Sequence, residues 1–101
     1  MTNPGDVKSL KQRVQDEVDR LAPELLATSR FLHSNPELAY EEHKAAEYLT
    51  AALEQHGFIV TRGAAGLSTA FFGRTGSGSP RIAFLAEYDA LPGLGHACGH
   101  N

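Results

Sequence analysis

The chain has 101 residues and a mass of 10.9 kDa, room for one small domain without a large cleft to spare. Hydrophobic residues make up 42% and charged residues 21%, which leaves disorder, collagen and coiled coil as poor readings. The net charge is −3 and the nine Lys and Arg are scattered singly, so neither a nucleic-acid partner nor a polybasic membrane anchor is expected.

The opening Met1-Thr2-Asn3-Pro4-Gly5 is polar and lacks the apolar core of a secretory signal. A single cysteine, Cys98, permits no intrachain disulfide. Apolar runs are too short for a bilayer span. Together these features predict a cytoplasmic protein with no membrane partner.

Val7, Leu10, Val14, Val18, Leu21, Leu25 and Leu32 recur at steps of three, four or seven. This predicts one apolar helical stripe over about residues 6–33, facing a core. Pro23 lies inside it and predicts a kink or break near Leu21-Ala22. Asn35-Pro36 ends it, because a residue before proline is pushed out of the helical region. A second helix is predicted over about residues 40–56, burying Ala45, Tyr48, Leu49, Ala52 and Leu53. Tyr40 and Tyr48 read as helix-packing residues, and Glu41 and Glu42 as first-turn partners of the helix dipole. Gly57 suits the left-handed position after the helix end.

The period then becomes strand-like at residues 58–61 and 67–72. The Gly/Ser stretch at 73–80 reads as a turn. Residues 81–86, Arg-Ile-Ala-Phe-Leu-Ala, are nearly all apolar, which predicts a third strand buried on both faces. The fold class is therefore α/β: two helices, then about three strands.

The third predicted strand runs into Glu87 and Asp89 and on to His96, Cys98 and His100. All three side-chain types ligate divalent metals. If the segment is extended, Cys98 and His100 share one side. By spacing alone a Cys-x-His pair is a weak signal, and a buried thiol beside solvent-facing histidines accounts for it equally well. His33, His43 and His56 fall on helices or their ends and read as surface or capping residues. A thiol hydrolase with Cys98 as nucleophile is a further alternative.

Two longer stretches bear on these alternatives. Phe31-Leu32-His33-Ser34-Asn35-Pro36-Glu37-Leu38-Ala39-Tyr40-Glu41-Glu42 resembles the N-terminal signature of the M20 family of metallopeptidases and amidohydrolases. Ala86-Glu87-Tyr88-Asp89-Ala90-Leu91-Pro92-Gly93-Leu94-Gly95-His96-Ala97-Cys98-Gly99-His100-Asn101 resembles the metal motif of its amidohydrolase branch. The resemblance covers residues 10–101.

It implies the N-terminal part of a three-layer α/β/α catalytic domain of the zinc-exopeptidase kind, with a lid or dimerisation domain elsewhere. It implies a hydrolase acting on a small dipeptide or N-acyl amino acid substrate through two divalent ions, zinc above all, with manganese, cobalt or nickel as alternatives. Cys98 and His100 match metal ligands of the motif, and Asp89 matches an aspartate that orients a ligand. Glu87 falls where other branches have a metal-binding histidine, and His96 has no settled role. The family's general-base glutamate and remaining ligands match nothing in these 101 residues. The resemblance thus implies an N-terminal portion that is inactive alone. A non-catalytic module that associates with a full-length homologue is the alternative, and homo-oligomerisation of the complete enzyme is left open.

Overall fold

The computed structural model describes residues 5–101, and the polar opening at residues 1–4 lies outside them. Helix α1 spans Val7–Ser34. The Asp6 carboxylate accepts from the Lys8 backbone N–H at 3.0 Å, satisfying one of the donors that a helix start leaves without a partner. The break expected near Leu21-Ala22 does not occur, and α1 runs on through Pro23. A proline deletes one rung of the ladder, and in a helix of 28 residues the rungs on either side hold it together. The expected stop does occur. Asn35 caps the helix, its side-chain amide donating to the Phe31 carbonyl at 2.9 Å.

Helix α2 spans His43–Gln55 and starts later than the sequence suggests. Tyr40 has a φ of 69°, which a right-handed helix cannot include. It is 71% exposed, so it is not the buried helix-packing residue expected. Glu41 and Glu42 precede the first turn and do not occupy it. The first-turn N–H groups of Lys44 and Ala45 instead donate to the Glu37 carboxylate, each at 2.9 Å. A negative group is favoured there by the helix dipole as well as by the bonds themselves. At the other end, Gly57 takes the left-handed conformation expected of it, with φ 83°.

The two helices meet where Phe31 stacks on Tyr48, ring centroids 4.4 Å apart, and where Glu24 meets His56 at 2.8 Å. Leu32 and Ala45 are buried beside this contact, and the rest of the α2 face expected to pack is half-buried. The α1 stripe mostly is not. Val7, Leu10, Val14, Val18 and Leu25 are exposed, because no described element lies against that length of the helix.

Strands β1 (Ile59–Arg62) and β2 (Phe71–Arg74) pair antiparallel, Ile59 opposite Arg74 and Arg62 opposite Phe71. The second begins later than expected because residues 67–70 close a turn, with the Ala70 N–H donating to the Leu67 carbonyl at 3.0 Å. The third expected strand does not form. Residues 81–86 join no ladder, and Phe84 and Leu85 are 94% and 99% exposed. Burial on both faces needs a strand at each edge and cover on each side. Nothing among the described residues supplies either.

Glu37→Ala removes two bonds to the start of α2. It is expected to cost about 1 kcal/mol of stability, as loss of a capping side chain does. Urea denaturation followed by circular dichroism checks this. Glu37→Gln, which keeps one acceptor oxygen, should fall between the two.

Candidate metal centre

The segment after residue 86 is held at three points. The Tyr88 hydroxyl donates to the Thr69 carbonyl while its ring stacks on Phe71, centroids 5.5 Å apart. The Ala90 N–H donates to the Glu37 carbonyl at 2.7 Å, within a parallel bridge between Leu38 and Ala90. Asn101 closes onto α1, its amide donating to the Ser29 hydroxyl at 3.0 Å and to the Ser29 carbonyl at 3.3 Å.

Between the last two points the chain doubles back. The Leu91 N–H donates to the Gly95 carbonyl at 2.9 Å, and the Gly95 N–H to the Leu91 carbonyl at 3.2 Å. Gly93 and Gly95 sit at φ 71° and 65°, where a side chain would be strained. A second turn follows, with the Gly99 N–H donating to the His96 carbonyl at 3.1 Å. The segment from 96 to 100 is therefore not extended, and the same-side argument for Cys98 and His100 does not hold.

The reversal brings His100 back over the carboxylates that begin the segment. Its Nδ1 lies 2.8 Å from Asp89 Oδ1 and its Nε2 lies 3.4 Å from Glu87 Oε2. Glu87, Asp89 and His100 each offer one ligand atom, and these lie within 4.8 Å of one another. Cys98 is exposed beside them, its thiol directed to the Asp89 carbonyl at 3.7 Å. The hydrogen bond to Asp89 raises the His100 pKa above 6.5, with the charges of Asp89 and Glu87 acting in the same direction against partial desolvation. Burial, reinforced by Glu42, raises the Tyr88 pKa.

Of the residues singled out from sequence, His100 and Asp89 come together and Cys98 lies alongside. Glu87, whose role the sequence left open, is part of the group. His96 is 8% exposed and lies outside it, with Nδ1 bonded to no group among the described residues. That differs from the solvent-facing histidine of the blander reading. His33, His43 and His56 are exposed at helix ends, as expected. Sequence reasoning missed Glu37, which ties the site segment to α2. Its only signal was a carboxylate a few residues ahead of a helix start.

The donor set suits a divalent cation. Two carboxylates, an imidazole and a neighbouring thiol give O, N and S atoms, a mixture that zinc and its neighbours accept. An imidazole whose Nδ1–H is held by a carboxylate is the usual arrangement behind a metal-binding Nε2.

No protein-family model matches the chain. Individual relatives do. The chain is similar to the Xaa-Arg dipeptidase of Mus musculus, 41% identical over 110 residues that cover 99% of this chain and 26% of the relative. It is 42% identical to the Xaa-Arg dipeptidase of Homo sapiens, over 96% of this chain and 25% of the relative. It is 43% identical to a p-aminobenzoyl-glutamate hydrolase subunit of Escherichia coli (strain K12), over 66% of this chain and 18% of the relative. The chain thus spans about a quarter of the length of the dipeptidases it matches. The class these sequences define is that of peptide and amide hydrolases. Within that class, the chain belongs to the M20 family of peptidases and amidohydrolases, in its amidohydrolase branch.

The raised His100 pKa has a checkable sign. Its charged form is favoured by Asp89, so the stabilisation is full below the unfolded value near 6.5 and is lost as pH rises through the higher folded value. In chelator-treated protein, the His100 ring should titrate above 6.5 by nuclear magnetic resonance. Asp89→Asn should bring the midpoint down. An unchanged midpoint in that variant would show that Asp89 is not the cause.

Proposed function

We propose that the chain carries part of the metal centre of an amidohydrolase or dipeptidase that cleaves the amide bond of a dipeptide or N-acyl amino acid. The observation that carries this reading is the gathering of Glu87, Asp89 and His100, with Cys98 beside them, on the segment that resembles the family's metal motif. The names of the relatives, an Xaa-Arg dipeptidase and an aminobenzoyl-glutamate hydrolase, support the substrate class.

Cys98 and His100 are the ligands in this proposal, through Sγ and Nε2. Asp89 accepts the Nδ1 proton of His100, which fixes the tautomer and leaves the Nε2 lone pair free. Glu87 adds a carboxylate oxygen on the Nε2 side. Zinc is the first choice of ion, with manganese, cobalt and nickel as alternatives and two ions in the complete enzyme. A bound divalent ion supplies a polarised carbonyl and a water acidic enough to attack it near neutral pH. The thiolate needs a reducing compartment, consistent with the cytoplasm. No described helix is long and apolar enough to cross a membrane. The general base and the remaining ligands have no counterpart in these 101 residues, so the chain by itself holds metal without turning over substrate.

Zinc titration of the 101-residue chain against a chromophoric chelator tests this. Asp89→Asn should weaken binding by about tenfold or more, the usual loss on removing the group behind a ligand. Cys98→Ser and His100→Ala should weaken it further, and the cobalt-loaded Cys98→Ser protein should lack a thiolate charge-transfer band. Loaded wild-type chain should hydrolyse no dipeptide. Equal zinc affinity in wild type and His100→Ala would overturn the assignment.

A further inference from the structure

Asn101 follows the proposed ligand His100 and closes onto a helix residue 72 positions away. Its amide nitrogen donates to Ser29 Oγ at 3.0 Å and to the Ser29 carbonyl at 3.3 Å, and Ser29 Oγ donates to the Asn101 carbonyl at 3.3 Å. A side-chain amide has two N–H groups and a serine hydroxyl has one O–H, so every side-chain donor of the two residues is used inside this one pair. The Ser29 carbonyl lies within α1 and can still accept, because its oxygen has a second lone pair beyond the one a helix ladder uses. Both residues are half-buried, which shields the bonds from competing water.

The turn that carries His100 has little else to fix it. Ala97, Cys98 and Gly99 are exposed. The turn's own backbone bond runs from the Gly99 N–H to the His96 carbonyl. Among the described residues, no other hydrogen bond from residues 97–101 reaches a helix or a strand. Ser29 is a firm anchor for it. Phe31, two residues on, stacks on Tyr48 of α2, and Leu32, about one turn on, is buried.

The partner of His100 is held from the far end of the same helix. Asp89 precedes Ala90, whose N–H is taken by the Glu37 carbonyl at 2.7 Å, just past the end of α1. The two anchor points are Ser29 and Glu37. Between them lie about 7.5 Å of regular helical rise to Ser34 and the capped exit at Asn35. Asp89 and His100 are thus hung from opposite ends of one rigid stretch of α1, and their rings and oxygens meet at 2.8 Å.

We propose that Ser29 and Asn101 are positioning residues for His100: with the end of α1 as spacer, their clamp sets the ring so that Nδ1 meets Asp89 and Nε2 is presented to a divalent ion. This rests on the metal-centre reading above. Neither residue supplies a donor atom to the cluster, so both act through His100. Position 101 requires an amide, since a carboxylate there has no hydrogen to give and would set an acceptor against the Ser29 carbonyl.

Two measurements on the 101-residue chain test the proposal. One is zinc affinity by chelator competition. The other is the His100 tautomer by nitrogen nuclear magnetic resonance, read in metal-free protein at a pH where the ring is neutral. Wild type should hold the Nδ1–H form. Asn101→Ala should mix the two tautomers and weaken zinc binding by about tenfold. Ser29→Ala suits the helix and keeps the Ser29 carbonyl, so it should fold as wild type by circular dichroism and weaken binding by about fivefold or less, the worth of one hydrogen bond. The losses should not add in the double variant, because both pass through one contact. Ser29→Thr keeps the hydroxyl and should bind zinc as wild type does. An unchanged tautomer in Asn101→Ala would overturn the proposal even where affinity falls, as would additive losses in the double variant. A tautomer that shifts in Asn101→Ala, in a chain that binds no zinc, would leave the clamp standing as the device that orients His100 and overturn the metal reading instead.

Discussion

Glu37 is the joint on which both halves of this small structure turn. Its carboxylate closes the start of α2 through the N–H groups of Lys44 and Ala45, and its carbonyl accepts the Ala90 N–H that begins the site segment. One residue therefore sets the direction of a helix and the position of the loop carrying Asp89 and His100. The core beneath is slight. Among the described residues, Leu32, Ala45 and Ala90 are the buried apolar side chains. Specific hydrogen bonds thus decide more of the arrangement here than apolar burial, which dominates in most domains.

The parts of the fold that local chemistry dictates were legible in the sequence. Asn35-Pro36 had to end α1, and Gly57 had to end α2, because the backbone angles at those points admit few residue types. The β-branched run at Ile59 and Val60 forms its strand. Where the reading failed, a side chain met something distant in sequence. The start of α2 is set by Glu37 and by the left-handed Tyr40, not by Glu41 and Glu42. Periodicity showed correctly that an amphipathic helix lies over about residues 6–33, found at Val7–Ser34. It could not show whether the apolar face has a neighbour. The same holds for residues 81–86, whose composition records what the segment suits, while pairing depends on strands outside it.

The site was legible in its residue types and opaque in its geometry. Two carboxylates, two imidazoles and a thiol within fourteen residues are all metal-ligating types, but spacing alone left the reading even, and only the motif resemblance tipped it toward a metal site. The extended-chain argument put Cys98 and His100 on one side, but the chain from His96 to Gly99 is a turn. Two consecutive reversals, at Leu91–Gly95 and at His96–Gly99, carry His100 back to Glu87 and Asp89. Such reversals depend on left-handed glycines, and Gly93, Gly95 and Gly99 are all of that kind. Glycines in a motif are easy to see, but the direction in which they send the chain is set by tethers such as Asn101 on Ser29.

Those tethers explain how the site can be ordered while the segment leading into it is not packed. In an open α/β sheet, ligand-binding residues at the carboxyl ends of strands are positioned by the strands themselves. Here residues 81–86 lack neighbours, so strand pairing cannot be what places Glu87 and Asp89. The contacts of Tyr88 with Thr69 and Phe71 come from the strand side, Ala90 with Glu37 from the α1–α2 connection, and Asn101 with Ser29 from α1. Asp89 and His100 lie within this frame, and Glu87 lies just outside it with its carboxylate exposed. The Asp89–His100 pair is therefore the part of this side-chain cluster that the chain preorganises. Glu87 and Cys98 are exposed, so the tethers fix the Asp89–His100 pair and leave its two neighbours to the solvent.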